Sequence, residues 1–210
     1  MSQIGQGRRG AWRAALACMV TLAVAMGLGR FAFTPMLPIM LHEGKLSLGG
    51  GGVLASLNYL GYFLGAVSCA AIAVPARRMV RGGLVATALL LVGMGVLHSF
   101  IGWGVLRTAA GVMSAWVFVF ASGWGLRRLA ETNAPTLAGV IYTGPGIGIA
   151  VTGLLGGALG RWGSEAGWIG LGLLAAALVA LIWRVFDDGE APATGGPGPT
   201  AAGPPALAPP

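Results

Sequence analysis

The sequence predicts an all-α, polytopic membrane protein with six transmembrane helices. Of its 210 residues, 56% are hydrophobic and only 9% are charged, against about 25% charged residues in an ordinary soluble domain. Six apolar runs are each long enough to cross a hydrocarbon core of about 30 Å as a helix. The basic residues lie in short clusters between these runs. Together these observations exclude a conventional water-soluble fold.

The six predicted spans follow one another through short connections and make up a bundle over residues 14–186. Their approximate bounds are 14–41, 52–74, 82–100, 102–124, 136–159 and 167–186. The first run is long enough to tilt or bend, and Pro35 and Pro38 mark where we expect its helix to distort. Residues 1–13 are predicted to be a cytoplasmic segment. Residues 187–210 are rich in Gly, Pro and Ala, which predicts a disordered tail.

The distribution of basic residues predicts the orientation of the chain. With the amino terminus inside, the outer loops hold only Lys45 and Arg161. The cytoplasmic segments hold nine arginines: Arg8, Arg9, Arg13, Arg77, Arg78, Arg81, Arg127, Arg128 and Arg184. Because arginine and lysine in short loops remain in the cytoplasm, both termini are predicted to be cytoplasmic, in a bacterial inner membrane. The lipid bilayer is then the main partner, and the net charge of +7 does not indicate nucleic acid.

The sequence offers no pattern for a cofactor, a metal or an active site. Cys18 and Cys69 lie in apolar runs without a CxxC spacing, so we expect no metal site. A six-span serine protease needs a serine nucleophile and a histidine within the membrane. Ser122 lies in no GxSxG motif and the last span has no histidine. We therefore expect no enzyme and no cofactor.

Charged and amide side chains inside the spans are the first candidates for function. Arg30, Asn58 and Arg107 lie roughly 7 to 12 Å below the outer ends of spans one, two and four. Insertion scales give about 2.5 to 3.5 kcal/mol for an arginine at a helix centre, and no predicted span contains Asp or Glu. Three sources could balance these charges: an anionic substrate, helix carbonyls with water, or a further half of the protein outside this sequence. The candidate substrate-binding or cavity-lining residues are Arg30, Thr34, Asn58, Tyr59, Tyr62, Arg107 and Tyr142.

The 38 glycines predict close approach of helix backbones, since small residues allow such packing in membranes. Spans two and five carry GxxxG pairs at positions 61/65, 144/148, 153/157 and 156/160. Both static packing and helices that slide past one another agree with this pattern. Pro145 removes a backbone donor beside Gly144 and is either a hinge or a packing kink.

The two halves of the chain show a faint internal repeat. GLGR at 27–30 on span one parallels GVLR at 104–107 on span four. Tyr59, Gly61 and Gly65 on span two have the same spacing as Tyr142, Gly144 and Gly148 on span five. This order predicts a 3+3 inverted repeat.

Three stretches carry a family resemblance. Residues 29–38 read GRFAFTPMLP, Arg107 is followed by Gly111 on span four, and residues 144–148 read GPGIG. They resemble the GRFAFTPLLP, RxxxG and GPxxG patterns of the major facilitator superfamily, and more narrowly of its YbfB/YjiJ-type branch. The arginines at 77, 78 and 81 match the cytoplasmic loop after span two, although the aspartate of the family's GxxxDRxGRR-like element is absent.

This resemblance implies the amino-terminal six-helix half of a fold that normally has twelve spans. It also implies secondary active transport of a small solute by alternating access, with an anionic solute as one option. A second six-helix half or a second copy would be the protein partner. An inactive truncated fragment or a non-transporting membrane subunit is the alternative.

Overall fold

The computed structural model describes residues 2–187, and no β-strand occurs among them. The main helices are α1 (Ser2–Leu22), α2 (Phe33–His42), α3 (Leu48–Ser68), α4 (Ala76–Val96), α5 (Phe100–Glu131), α6 (Ala138–Leu159) and α7 (Ser164–Ile182). A π-helical segment, Ala23–Leu28, continues α1. The tail predicted at 187–210 lies outside the described residues except for Asp187, which ends a short 3-10 turn.

Six helical stretches are long and apolar enough to cross a membrane, which confirms the predicted fold class. The first comprises α1, the π segment and α2 (Gly7–His42), and the others are Leu48–Ala71, Ala76–Val96, Phe100–Glu131, Pro135–Trp162 and Ser164–Ile182. Several boundaries differ from the prediction. The first helix already begins at Ser2, α4 begins at Ala76 directly after Pro75, and α5 continues to Glu131.

The earlier start of α4 corrects the placement of three arginines. Arg77, Arg78 and Arg81 lie in the first two turns of this helix rather than in the preceding loop. Pro75 is the N-cap residue of α4, and proline readily precedes a helix because it has no N–H to leave unpaired. Arginine is also a good helix former.

The first span loses its regular α-helical hydrogen bonding near the two prolines that predict a distortion, and the break lies just before them. Gly29 and Phe31 donate their N–H groups to carbonyls five residues back, Val24 and Met26, at 2.8 and 3.1 Å. A turn then leads into α2, whose third residue is Pro35. Because proline has no N–H, no donor at position 35 reaches back to Phe31, and the helix restarts here rather than continuing.

The packing of the helices follows the predicted repeat. Span two (α3) packs on span four (α5), and its counterpart, span five (α6), packs on span one. Span three (α4) packs on its own counterpart, span six (α7). The glycine pairs make the equivalent contacts, since Gly61 lies against Thr108 of α5 and Gly144 lies against Met19 of α1. Two three-helix units of opposite orientation explain this exchange of partners.

The core of the bundle is built around the first span. In its most apolar stretch 67% of the residues are buried, against 22% in spans two and five. Spans two and five therefore present broad exposed faces, and these faces include Tyr59 and Tyr142.

Candidate functional site

Arg30, Arg107 and Asn58 come together in the bundle, as the sequence suggested. The Nη2 atom of Arg107 donates a hydrogen bond to the backbone oxygen of Arg30 at 3.0 Å. Asn58 donates from its Nδ2 to the backbone oxygen of Arg107 at 2.8 Å. This chain of contacts joins spans two, four and one. We call these three residues, with Tyr59 and Tyr62, the arginine cluster.

The break in the first span makes the first of these bonds possible. In a continuous helix the oxygen of Arg30 would accept from the N–H of Thr34. Here Thr34 donates instead to Phe31 at 3.1 Å, one residue further along the chain. The oxygen of Arg30 is thereby released from the helical pattern, and the guanidinium of Arg107 occupies it. Pro35 acts on the cluster through the backbone, although its side chain is not part of it.

A glycine on span four makes the second bond possible. A Cβ atom added at Gly111 would overlap the backbone oxygen of Asn58 and lie 2.7 Å from the nitrogen of Tyr62. Only a glycine allows α3 and α5 to approach this closely. The close approach brings the short Asn58 side chain, which is 2% exposed, within reach of the carbonyl of Arg107.

Aromatic rings surround the guanidinium of Arg30. Its Cζ atom lies 3.9 Å from the ring centroid of Tyr62, 4.9 Å from that of Tyr59 and 5.5 Å from that of Phe31. Such cation–π contacts stabilise a charge by about 0.5 to 2 kcal/mol each. The rings therefore offset part of the cost of placing Arg30 in the membrane and also fix its direction.

The arginine cluster contains two guanidinium groups, each with an N–H group that has no hydrogen-bond partner in the described structure. The Nε atoms of Arg30 and Arg107 are buried and have no hydrogen-bond partner among the described residues. The carboxylates in this part of the chain, Glu43, Glu131 and Glu165, lie at or beyond the ends of spans. Arg107 is 3% exposed, whereas Arg30 is only partly buried. Arg30 is thus the more accessible of the two arginines.

Two further candidates lie apart from these contacts. Thr34 is exposed on α2, and Tyr142 is exposed on α6 with its ring 6.3 Å from that of Phe118. Neither makes a side-chain hydrogen bond to the arginine cluster in the described structure. Their role as cavity residues stays a prediction.

The candidate hinge and packing glycines lie at helix contacts. A Cβ at Gly61 would overlap the oxygen of Thr108, one at Gly65 would lie 2.8 Å from the oxygen of Val112, and those at Gly144 and Gly148 would overlap the oxygens of Met19 and Ala23. Pro145 lies inside the continuous helix α6. By contrast, Gly153 and Gly157 face open space, so their GxxxG spacing makes no helix contact. Whether any of these helices slides stays a prediction.

The arginines at the start of α4 lie at the opposite end of the bundle from the loops that the sequence predicts to be outside. Arg77, Arg78 and Arg81 line a common pocket together with Pro75. The Nη2 of Arg81 donates to the backbone oxygen of Trp183, and its Cζ lies 4.6 Å from the ring centroid of Trp183. Arg81 therefore ties the beginning of α4 to the end of α7.

The structure also shows a polar network between the loops predicted to be outside, which the sequence analysis missed and which we call the outer network. Lys45 contacts Glu43 at 3.1 Å and Glu165 at 2.8 Å, and His98 Nε2 lies 3.0 Å from the same Glu165 oxygen. Glu43 also accepts hydrogen bonds from the N–H of Ser164, at 2.6 Å, and from its hydroxyl. These contacts connect all three outer loops. The sequence could have indicated this network, because each of these short loops carries or adjoins a charged or titratable residue.

The electrostatics of the network follow from the contact between Glu43 and Ser164, the first residue of α7. A carboxylate at a helix N-terminus satisfies a backbone donor and interacts favourably with the helix dipole. Partial burial raises the pKa of Glu43, but hydrogen bonds from Ser164 and Lys45 and the charge of Lys45 outweigh it and hold the pKa below 4.5. The hydrogen bond to Glu165 is the main cause that raises the pKa of Lys45. The lowered pKa of Glu43 and the raised pKa of Lys45 both favour the charged forms of this ion pair.

Comparison with known proteins agrees with this architecture. The family described as uncharacterised MFS-type transporter YbfB matches residues 22–205. Neither a curated protein nor a solved structure is similar enough to count as a match. The matched region includes most of the first span, with its arginine and helix break, and the five spans that follow. The chain therefore belongs to this YbfB-type family of major facilitator transporters.

Proposed function

We propose that this bundle takes part in secondary active transport of a small anionic solute by alternating access, with Arg30 as the cation that contacts the solute. Membership of the family gives the chain a general role in membrane transport. The observation that carries the anionic substrate is the pair of guanidinium groups without a carboxylate in the described membrane interior. An anion at Arg30 would accept hydrogen bonds from its guanidinium and offset the charge of both arginines in a region of low dielectric.

The residues of the arginine cluster have different tasks in this proposal. Arg30 is partly exposed and binds the solute, whereas Arg107 is too deeply buried to do so. Arg107 and Asn58 are positioning residues, because they hold the backbone of Arg30 and the neighbouring helix in place. Tyr59 and Tyr62 restrict the guanidinium to one direction through their ring faces.

Alternating access requires a bundle that moves as a unit against a second one. Substrate sites in such transporters lie near the midplane, at the interface between repeats, and often involve interrupted helices. The π segment and turn of the first span provide such an interruption next to Arg30. The exposed faces of spans two and five suit contact with a second six-helix half or a second copy of the chain.

The test compares anion binding by the full chain and by variants of Arg30. Thermal stability of the purified protein is measured in detergent with increasing concentrations of monocarboxylates, dicarboxylates and matched neutral amides. We expect at least one carboxylate, and none of the amides, to stabilise the wild type. Charge-assisted hydrogen bonds contribute about 1.5 to 3 kcal/mol, so Arg30→Gln should weaken this binding by about 10- to 100-fold.

Arg161→Gln is the matched control, since Arg161 is an exposed arginine near the outer end of α6. It should leave the affinity unchanged. Equal affinity in the wild type and in Arg30→Gln would overturn the proposal and assign Arg30 a purely structural role among its aromatic neighbours. Binding of the neutral amides as tightly as the carboxylates would also overturn it.

Accessibility provides a second and independent measurement. In a Cys69→Ser background, Arg30→Cys is treated with a charged, membrane-impermeant thiol reagent. Cys18 is fully buried and should stay unreactive. Reaction at position 30 supports an aqueous path, whereas a site that resists the reagent in native protein but reacts after unfolding would contradict it.

A further inference from the structure

A groove runs between α4 and α7 near the arginine-rich end of the bundle. Its volume is about 510 Å³. Ala88 and Val179 form its buried floor, and Val85, Leu89 and Leu181 form its exposed rim. The groove lies along two membrane-spanning helices and is lined largely by aliphatic side chains. Its aliphatic lining along two spans suits a hydrocarbon chain.

Basic side chains surround the end of this groove. Arg184 and Trp183 line the groove itself. Arg81, which contacts Trp183, also lines the adjoining pocket of about 450 Å³ that contains Arg77 and Arg78. The contact between Arg81 and Trp183 therefore links an apolar surface to a cationic one. The positive-inside bias places this end at the cytoplasmic surface.

We propose that this surface binds one anionic phospholipid, with an acyl chain in the α4/α7 groove and the headgroup phosphate on Arg78 and Arg184. Basic pockets between transmembrane helices on the cytoplasmic side are suited to anionic headgroups. A soluble anion would use the arginines but not the apolar groove. A zwitterionic lipid would use the groove but gain less from the arginines. Only an anionic lipid matches both parts.

The charge balance at this end remains positive when the nearby acids are included. In the sequence, the segments 75–81 and 183–190 carry four arginines, at 77, 78, 81 and 184, and three acids, at 187, 188 and 190. The difference is one positive charge. Each arginine near an anionic membrane surface contributes enough to change affinity by about fivefold.

This site is separate from the proposed solute site. The groove involves spans three and six and the arginine-rich end, whereas Arg30 contacts residues of spans two and four. A failure of anion binding at Arg30 would leave the lipid proposal intact, and the converse also holds.

Native mass spectrometry of the full chain in detergent provides the test. Phosphatidylglycerol and phosphatidylcholine with identical acyl chains are added in titration, and glycerol 3-phosphate serves as a soluble headgroup without chains. We expect phosphatidylglycerol to bind more tightly than phosphatidylcholine. The double variant Arg78→Gln/Arg184→Gln should lose about 30-fold in affinity for phosphatidylglycerol and little for phosphatidylcholine.

Two further variants separate charge from shape. Arg127→Gln removes an exposed arginine near the carboxyl end of α5, which does not line the groove. This variant should bind both lipids as tightly as the wild type does. Ala180→Phe fills the groove at an exposed position without a change in charge and should weaken both lipids. Equal binding of the two lipids by the wild type would overturn the proposal even if a variant failed to fold. Binding of glycerol 3-phosphate as tightly as phosphatidylglycerol would also overturn it, in favour of a soluble anion.

Discussion

Replacement of Gly144 by alanine is expected to separate α6 from α1, whereas the same change at Gly146 is not. A Cβ at Gly144 would overlap the backbone oxygen of Met19 and lie 3.0 Å from its carbonyl carbon and 3.2 Å from the nitrogen of Ala23. A Cβ at Gly146, on the other side of Pro145, would have no atom within 4 Å. The two positions therefore form a matched pair on one helix.

The size of the effect follows from these distances. Carbon atoms pack optimally at about 3.5 to 4.0 Å, so α6 would have to move by roughly 1 Å. The obstacle is backbone, which cannot rotate away as a side chain can. Overpacking of this kind costs about 1 to 3 kcal/mol. Both variants gain up to about 1 kcal/mol from the better helix propensity of alanine, and this gain cancels when the two are compared.

The measurement is equilibrium unfolding of the purified protein in mixed micelles, with denaturing detergent as the titrant and helical circular dichroism as the signal. Gly144→Ala should unfold with about 1 to 3 kcal/mol less free energy than Gly146→Ala. Equal stability of the two variants would refute the backbone contact between α6 and α1. If Gly144→Ala were equally stable but unable to transport, position 144 would be a hinge rather than a packing contact.

Four other predictions concern the repeat, the arginine cluster and the outer network. Gly61→Ala should lower the free energy of unfolding by about 1 to 3 kcal/mol in the same titration and Gly52→Ala should not, because only the first would meet a neighbouring helix; equal stability would contradict the predicted equivalence with the α6 contact. Asn58→Leu removes a buried hydrogen bond to the α5 backbone and should cost about 1 kcal/mol as well as weaken anion binding, so unchanged values of both would remove its positioning role. The folded-state pKa of Glu43 lies below 4.5, so its contribution to stability is present above pH 4.5 and lost as the pH falls through the lowered pKa; melting temperature against pH should therefore fall more steeply in acid for the wild type than for Glu43→Gln, and parallel curves would contradict this. The pKa of Lys45 is raised above 10.5, so its contribution should persist to that pH and fade above it, which Lys45→Met would show by a flatter alkaline limb of the same melting curve.

The candidate site was largely predictable, because its residue types are costly in a membrane. Arg30, Asn58 and Arg107 are conspicuous within apolar runs, and their similar depths indicated that they meet. The sequence did not reveal how they meet. That Arg107 binds the backbone of Arg30, rather than its side chain or an acid, depends on a carbonyl released by the turn before Pro35.

Glycine spacing was informative only in part. GxxxG pairs are equally regular along α6, yet Gly144 and Gly148 contact the first span while Gly153 and Gly157 face open space. The spacing shows which residues share a helix face, and it does not show which face meets a neighbour. The outer network was missed for a similar reason. Its members come from loops more than 50 residues apart in the chain.

The sequence by itself determined that the chain has six apolar spans and which residues need compensation for their charge, and it predicts the orientation of the spans from the positive-inside bias. These properties depend on hydrocarbon thickness and on the cost of charge in lipid, which act on each segment separately. Only the tertiary structure decided the partners: Met19 for Gly144, Trp183 for Arg81, and Ser164 for Glu43. Partners depend on how distant helices are rotated and placed against each other, and this results from packing of the whole bundle rather than from a local pattern.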